Sequence, residues 1–304
     1  MTTYRSNGKL LLTGEYVVLD GAKALALPTK YGQSLTVESI DNPQLLWRSI
    51  DFKGEVWFEA NFPMENIASD FLNPRNDIEK RVIQILSAVK QLNPNFLNDE
   101  NGFRVTTKLD FPNNWGLGSS STLINNIANW ANVDAYQLLE LTFGGSGYDI
   151  ACAQYNQPIV YQKKMLDNKR TVILVDFNPS FKEELFFVHL NQKQNSREGI
   201  DLYNSNKNNL AAAISEINAI TDTVINCDTV SEFEILITKH EQLISNLINL
   251  PTIKSSLFPD YSRAIKSLGA WGGDFVLATG NFNEMDYFKQ KGFHTIIPYH
   301  KMIL

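Results

Sequence analysis

The sequence predicts an α+β protein of two domains, and three observations carry that prediction. Its 304 residues exceed the roughly 100 to 200 of one ordinary domain. Short alternating apolar runs are interleaved with longer stripes at helical spacing. Glycine-rich turns separate several of these segments.

From Lys9 to Leu27, the apolar runs Leu10 to Leu12 and Val17 to Leu19 lie between Gly8, Gly14 and Gly21, the pattern of strands joined by tight turns. Gln33 to Ile40 and Glu55 to Phe62 alternate as strands. Asp77 to Leu92 places Ile78, Val82, Ile85, Leu86, Val89 and Leu92 on one helical stripe, with Asn76 as its cap. Phe103 to Leu109 is a further strand; Pro112 to Gly118 interrupts the pattern, and Ser119 to Val133 resumes helical spacing through Leu123, Ile127 and Trp130. Beyond these, Thr171 to Phe177 and Glu184 to Leu190 are expected strands, with helices over Ser205 to Ile225 and Ser231 to Leu250. Ser231 and Glu234 match a capping box. Pro259 to Leu268 is expected as a helix, Phe275 to Ala278 as a strand, Asn283 to Lys291 as a helix closed by Gly292, and Thr295 to Tyr299 as the last strand. The polar turn Asp167-Asn168-Lys169 places a domain boundary near 168, giving domains 1–168 and 169–304.

The composition narrows the function. Seventeen Gly and eleven Pro in 304 residues exclude a collagen-like or mainly disordered chain. Thirty-three acidic against 27 basic residues, a net charge of -6, lack the basic excess of a nucleic-acid binder. Any phosphate is therefore held by a few local groups. Cys152 and Cys227 have no CxxC spacing, which supports neither a disulfide framework nor a zinc site. With no signal-peptide core and no run near 18 apolar residues, a soluble cytoplasmic protein without nucleic-acid or membrane partners is expected.

Three segments carry chemistry. In Gly116-Leu117-Gly118-Ser119-Ser120-Ser121-Thr122, glycines admit an anion to backbone amides, a helix N-terminus adds partial positive charge, and serine hydroxyls can bond phosphate or ligate magnesium. The same residues also read as a serine-rich helix cap. The segment is neither a Walker loop nor a dinucleotide GxGxxG, and protein-kinase signatures are absent. Gly144-Gly145-Ser146-Gly147-Tyr148-Asp149 sets a carboxylate after a flexible turn; on a helix N-terminus Asp149 is either a cap or an ionised proton acceptor. Lys9, after Gly8, is either a solvated edge lysine or a cation for a carboxylate or phosphate. The histidines show no metal spacing, and His240 reads as a partly buried helix residue. Trp115 either closes over a nucleotide base or packs.

Taken in order, these segments resemble the GHMP kinase superfamily, most closely its phosphomevalonate and mevalonate kinase branch. Gly8-Lys9-Leu10-Leu11-Leu12-Thr13-Gly14-Glu15-Tyr16 looks like the family's first motif, Gly116 to Ser121 like its phosphate loop, Gly145 to Ala151 like the segment bearing the catalytic aspartate, and Gly269-Ala270-Trp271-Gly272-Gly273-Asp274 like the third motif. Asn7 stands where the family has Pro, Trp271 stands at a glycine position, and Asn113-Asn114-Trp115 replaces a small-residue lead-in.

The resemblance implies an N-terminal ribosomal-protein-S5-like domain, a C-terminal ferredoxin-like domain and ATP-dependent phosphorylation of a mevalonate-pathway acceptor, phosphomevalonate or mevalonate. It implies that Asp149 and Lys9 are catalytic, that Gly116, Leu117, Gly118, Ser119, Ser120, Ser121 and Thr122 hold ATP, and that Ser120 and Glu140 bind Mg2+; Glu140 lies closer to Asp149 than the family's magnesium-binding Glu. It further implies that Glu15, Ser146, Gly147, Lys193, Ser196, Arg197, Gly272 and Gly273 face the acceptor, although Lys193 and Arg197 also read as solvated loop charges. The alternatives are a diphosphomevalonate decarboxylase, a sugar or homoserine kinase of the same superfamily, and a non-catalytic nucleotide-binding relative.

Overall fold

A computed structural model describes residues 1–64, 74–98, 101–166, 168–192, 196–205 and 210–304, without the side chains of 196 and 197. The chain divides into two units. The first comprises Met1–Gly8, Tyr31–Asn113 and Leu117–Gln154; the second comprises Lys9–Lys30, Asn114–Gly116 and Tyr155–Leu304. Residue 168 thus falls inside the second unit, which differs from the expected boundary. Long strands near the N-terminus contribute residues to both units, a connectivity that a break in composition cannot reveal.

The first unit holds most of β1 (Thr2–Leu11), the second part of β2 (Ala24–Ile40), β3 (Gln44–Ile50), β4 (Val56–Pro63) and β5 (Gly102–Leu109). The strand order is β4-β3-β5-β2, with β1 also on β2. β5 runs antiparallel to β2 and parallel to β3. Its alternation buries Val105, Thr107 and Leu109 and exposes Arg104 and Lys108, as expected of a strand with one covered face. Among the described residues its helices are α1 (Asp77–Leu92), α2 (Ser119–Ala131), α3 (Ala135–Thr142) and α4 (Tyr148–Gln154). Asn76 caps α1 by accepting from the amide of Glu79, and Val82, Ile85, Leu86 and Val89 enter one apolar core with Leu35, Trp47, Val105, Ile124, Ile127 and Leu138.

The second unit contains the antiparallel sheet β11-β8-β10-β9, formed by β8 (Leu185–His189), β9 (Ile265–Leu268), β10 (Phe275–Thr279) and β11 (Ile296–Pro298). It also contains β6 (Ile159–Lys163), which pairs with Ala24 to Ala26 of β2, and β7 (Arg170–Leu174), which pairs with β6. Its helices are α5 (Ser196–Ser205), α6 (Leu210–Ile225), α7 (Val230–Ile248), α8 (Ile253–Leu257), α9 (Asp286–Gln290) and α10 (Tyr299–Met302). α7 packs on α6 and β9, and Ile217, Ile244, Ile248, Phe258, Ile265, Val276 and Phe288 share one core.

Several elements differ from the sequence expectation. Val17 to Leu19 is not a strand: Val17–Asp20 forms a 3-10 turn closed by Gly21 at φ 93°, and Val17 and Val18 are apolar because they are buried. Leu268 ends a strand, β9, where a helix was expected. All four β9 residues are buried, which erases strand alternation, while Tyr261, Ala264, Ile265 and Leu268 imitate helical spacing. Pro259 follows the short α8 and is incompatible with continuing it. The cap of α7 is Thr229, which accepts from the amide of Glu232, so Ser231 and Glu234 form no capping box; Glu234 instead bonds Arg263 and Thr279.

Candidate active site

In the first unit, Gly118 at φ 87° forms the N-cap of α2, a conformation that suits glycine. Ser121 and Thr122 turn their hydroxyls back onto the carbonyl of Gly118, at 2.9 and 3.1 Å, so both brace the helix start. Leu117 is buried below them. Ser119 is half-buried near Asn113, whereas Ser120 is exposed and its hydroxyl makes no hydrogen bond among the described residues. The result is a helix N-terminus with outward amides and one outward hydroxyl, a donor set that fits a polyphosphate.

Polar partners that the sequence reading did not single out, Ser6, Gln33, Asn125, Asn126 and Gln154, hold this helix. Thr122 donates to Gln33 Oε1 at 2.9 Å, Asn126 donates to the Gln33 carbonyl at 2.9 Å, and Ser6 donates to Asn126 at 2.8 Å. Asn125 donates to Ser6 Oγ at 2.9 Å and accepts from Gln154 of α4 at 3.0 Å. This buried lattice joins α2 to β1, β2 and α4, and its mutual bonds offset the desolvation of each member.

Asp149 is the second residue of α4, half-buried, with Oδ1 accepting from the amide of Ile150 at 3.2 Å. It follows Gly144, Gly145 and Gly147 at φ 69°, 108° and 96°. A Cβ on Gly144 or Gly145 would meet nothing, so the backbone conformation alone demands those two glycines. Ser146 and Gly147 are buried, while Glu140 is exposed on α3. Among the described residues no group of three or more His, Cys, Asp or Glu could hold a metal ion.

In the second unit, Lys9 Nζ donates to the carbonyl of Gly116 at 3.0 Å. Gly116, at φ 64°, rests on the carboxylate of Asp274, itself 8% exposed. The amide of Asp274 donates to the Gln192 carbonyl, its own carbonyl accepts from Leu190, and the Gln192 side chain donates to the Gly272 carbonyl. Gly116, the 269–274 loop and the start of the polar stretch after β8 are thus knit together. Trp115 packs edge-on against Phe275, with ring centroids 5.4 Å apart, the packing alternative for that residue. Lys193 lies outside the described residues, and Ser196 and Arg197 begin α5 where an open loop was expected.

Trp271 is 5% exposed, and its indole donates to the Pro251 carbonyl at 3.0 Å. Its amide donates to the Tyr16 hydroxyl at 2.9 Å. Unlike Gly269 and Gly272, Trp271 does not have positive φ, so its position does not require glycine. Tyr16 has φ 63°, uncommon for a bulky residue; its ring stacks on Tyr203, whose hydroxyl donates to Asp20 at 2.6 Å.

Glu15 is 1% exposed. Its Oε1 takes the ammonium of fully buried Lys266 at 2.5 Å. The acceptor-facing carboxylate implied by the sequence is therefore engaged in a buried ion pair. Burial raises the carboxyl pKa of Glu15, opposed mainly by Lys266. His240 is also fully buried, and burial holds its pKa well below the usual histidine value. Its Nε2 accepts from the amide of Gly14 at 2.9 Å, so the ring is neutral with its proton on Nδ1 and the 3.5 Å approach to Glu15 is no ion pair. Glu241 accepts from the hydroxyl and amide of Ser267 at 2.8 and 3.1 Å.

Burial pushes the Glu241 carboxyl up to about 7, opposed by Lys266 and Ser267. Between its ordinary value of 4.5 and about 7 the folded state retains a proton that the unfolded chain has released. The stabilisation from this group is complete below 4.5 and is lost as pH rises through 7. Glu241→Gln is expected to remove a decline of about 3 kcal/mol between pH 5 and 8, read as a flatter melting temperature against pH. An unchanged slope would show that Glu241 does not titrate in this window.

The sequence matches no family model and no curated protein. The fold matches solved structures along nearly its whole length. Methanococcus jannaschii mevalonate kinase superposes with a TM-score of 0.71 at 17% identity, covering 97% of this chain and 96% of that one. Streptococcus pneumoniae phosphomevalonate kinase, solved with phosphomevalonate and AMPPNP, gives 0.71 at 14% identity over 97% and 99% of the two chains. Lactococcus lactis galactokinase, solved with galactose, gives 0.66 at 12% identity over 95% and 87%. At these identities the likeness establishes the fold alone, an α+β architecture that this chain shares with these structures over nearly its whole length.

Proposed function

We propose that this protein is an ATP-dependent kinase that transfers the γ-phosphoryl group to a small mevalonate-pathway acceptor, with phosphomevalonate ahead of mevalonate. The observation that carries the reading is the Gly116 to Thr122 segment: a glycine-capped helix N-terminus with an outward Ser120, preceded by a glycine whose carbonyl takes the Lys9 ammonium. Phosphoryl transfer needs placement and charge neutralisation more than covalent chemistry, and these residues supply both.

In this reading the amides of α2 hold the nucleotide phosphates, and Ser120, with Glu140, holds magnesium, which when bound neutralises phosphate charge. Asp149 orients the acceptor oxygen or, where that oxygen carries one, takes its proton. Lys9 stabilises charge that develops during transfer. The family resemblance assigns the acceptor to Glu15, Ser146, Gly147, Lys193, Ser196, Arg197, Gly272 and Gly273. The first-motif resemblance to phosphomevalonate kinases supports the choice of acceptor, and the absence among the described residues of a helix able to cross a membrane accords with a cytoplasmic setting.

The test is ADP release by the purified protein with Mg-ATP against phosphomevalonate, mevalonate, diphosphomevalonate, homoserine and galactose. Turnover fastest on phosphomevalonate is expected. Preference for galactose or homoserine would move the acceptor to another class, carbon dioxide release from diphosphomevalonate would indicate a decarboxylase, and ATP binding without turnover on any of these would overturn the reading.

A further inference from the structure

Val172-Ile173-Leu174-Val175, in β7 and one residue beyond it, is an uninterrupted apolar run. Such a run is the pattern of a strand buried on both faces. The fold does not bury it. Ile173 and Leu174 are 54% and 47% exposed, and Val172 and Val175 are only half-buried. β6, which has a neighbouring strand on each side, buries Ile159, Val160 and Tyr161. Beyond β7 no strand follows among the described residues, and the hairpin that joins it to β6 adds exposed Met165 and Leu166.

A bare edge offers unpaired amides and carbonyls to another strand, and proteins ordinarily guard it with charge, proline, shortness or cover. The other end strands are guarded in this way. β4 exposes Glu59 and Asn61 and ends at Pro63, β11 has three residues and contains Pro298, and β9 is buried and packed by α7 and α8. On β7 the charges stand only at the ends, Arg170 at its start and exposed Asp176 just past its close. The middle carries none.

The hydrogen bonds to β6 determine which residues of β7 can accept a further strand. The amide of Val175 donates to the Pro158 carbonyl at 2.9 Å, and the Lys169 carbonyl accepts from Lys164 at 2.8 Å. By the alternation of an antiparallel ladder, Thr171 and Ile173 also face β6, whereas Arg170, Val172 and Leu174 turn their amides and carbonyls outward. Two copies of β7 laid antiparallel can therefore be centred on Val172, Ile173 or Leu174. Centring on Ile173 sets Val172 opposite Leu174 of the second copy, Thr171 opposite Val175, and Arg170 opposite Asp176 at both ends of the ribbon. Centring on Val172 would set Arg170 against Leu174, and centring on Leu174 would set Asp176 against Val172. Charge complementarity selects Ile173.

We propose that β7 is a self-association edge: two copies of this chain pair β7 antiparallel about a twofold axis at Ile173, which joins their sheets and covers the apolar run. The pairing is isologous, as a twofold dimer requires, and it does not depend on the kinase reading.

The test is sedimentation velocity on the full chain over a micromolar concentration series, together with disulfide trapping. Wild type is expected to reach a mass twice 34.4 kDa. Ile173→Lys should weaken the dimer by about 30-fold or more, as loss of a central interface residue does. Its far-UV circular dichroism should match wild type, because Ile173 is exposed within one chain. Asp176→Lys, which sets like charges opposite each other, should weaken the dimer as well, and more at low salt than at high. The register is read by cysteine. Ile173 would face its own copy in a non-hydrogen-bonded pair, with Cα atoms about 4.5 Å apart, within reach of a disulfide. Ile173→Cys should therefore form a covalent dimer under mild oxidation, while Val172→Cys and Leu174→Cys should not; the native Cys152 and Cys227 are buried. Wild type that stays monomeric throughout the series overturns the proposal. So does a dimer that survives Ile173→Lys, or one that is trapped through residue 172 or 174 and not through 173.

Discussion

Asp149→Asn is expected to lower turnover by about 10²- to 10⁴-fold, the usual contribution of a positioned general base, while ATP binds nearly as to wild type. Asn keeps the size of the side chain and an oxygen that can accept from the amide of Ile150, as Asp149 does at 3.2 Å. α4 should therefore still form, and the buried bond from Gln154 to Asn125 remains to hold it to α2. What is lost is the negative charge, and with it the proposed capacity to orient the acceptor oxygen or take its proton. The nucleotide contacts proposed for α2 are untouched, so the effect should fall on kcat with little change in the dissociation constant for ATP measured by calorimetry. A variant that turns over at near the wild-type rate would remove Asp149 from the chemistry. A variant that binds no ATP would instead make it a structural support of the phosphate loop.

The glycine turns and helix starts of the candidate site were legible in the sequence because their signals are local. Gly118 must reach φ 87°, Gly144, Gly145 and Gly147 also have positive φ, and such demands leave glycines in runs that can be seen without a partner. The α1 stripe was legible for the same reason, since Val82, Ile85, Leu86 and Val89 lie within two turns of one helix. The supports of the site were not. Glu15 meets Lys266 across 251 positions, and Ser6 meets Asn126 across 120; no spacing rule connects such pairs. Lys266 was doubly hidden, because β9 is buried throughout and reads as part of a helix, and a lysine in a helix reads as solvated. Glu15 was visible as a motif residue, but its partner, and hence its burial, came only with the fold.

Gly116→Ala is the second substitution from which a large effect is expected, and here the cause is space as well as charge. An added Cβ would lie 2.0 Å from Asp274 Oδ2 and 2.2 Å from Asp274 Cγ, far inside contact distance. The alanine would also have to hold φ 64°, where a side chain costs about 1 to 2 kcal/mol. Asp274 cannot easily yield: its own φ is 55°, its amide is bonded to the Gln192 carbonyl and its carbonyl to Leu190. The 114–116 segment must then move instead, and the carbonyl of Gly116 leaves Lys9. Affinity for ATP and turnover should both fall, turnover by 100-fold or more, at about 1.4 kcal/mol per tenfold. Gly116→Ala/Asp274→Gly separates the two costs, because it removes the whole Asp274 side chain, including the Cβ that would lie 2.8 Å from the new methyl, and leaves only the strain at residue 116; it should regain part of the nucleotide affinity while melting no lower than the single variant. Wild-type affinity in Gly116→Ala would mean that the loop tolerates displacement at this glycine. No recovery in the double variant would place the defect in the backbone of Gly116 and free Asp274 of any part in it.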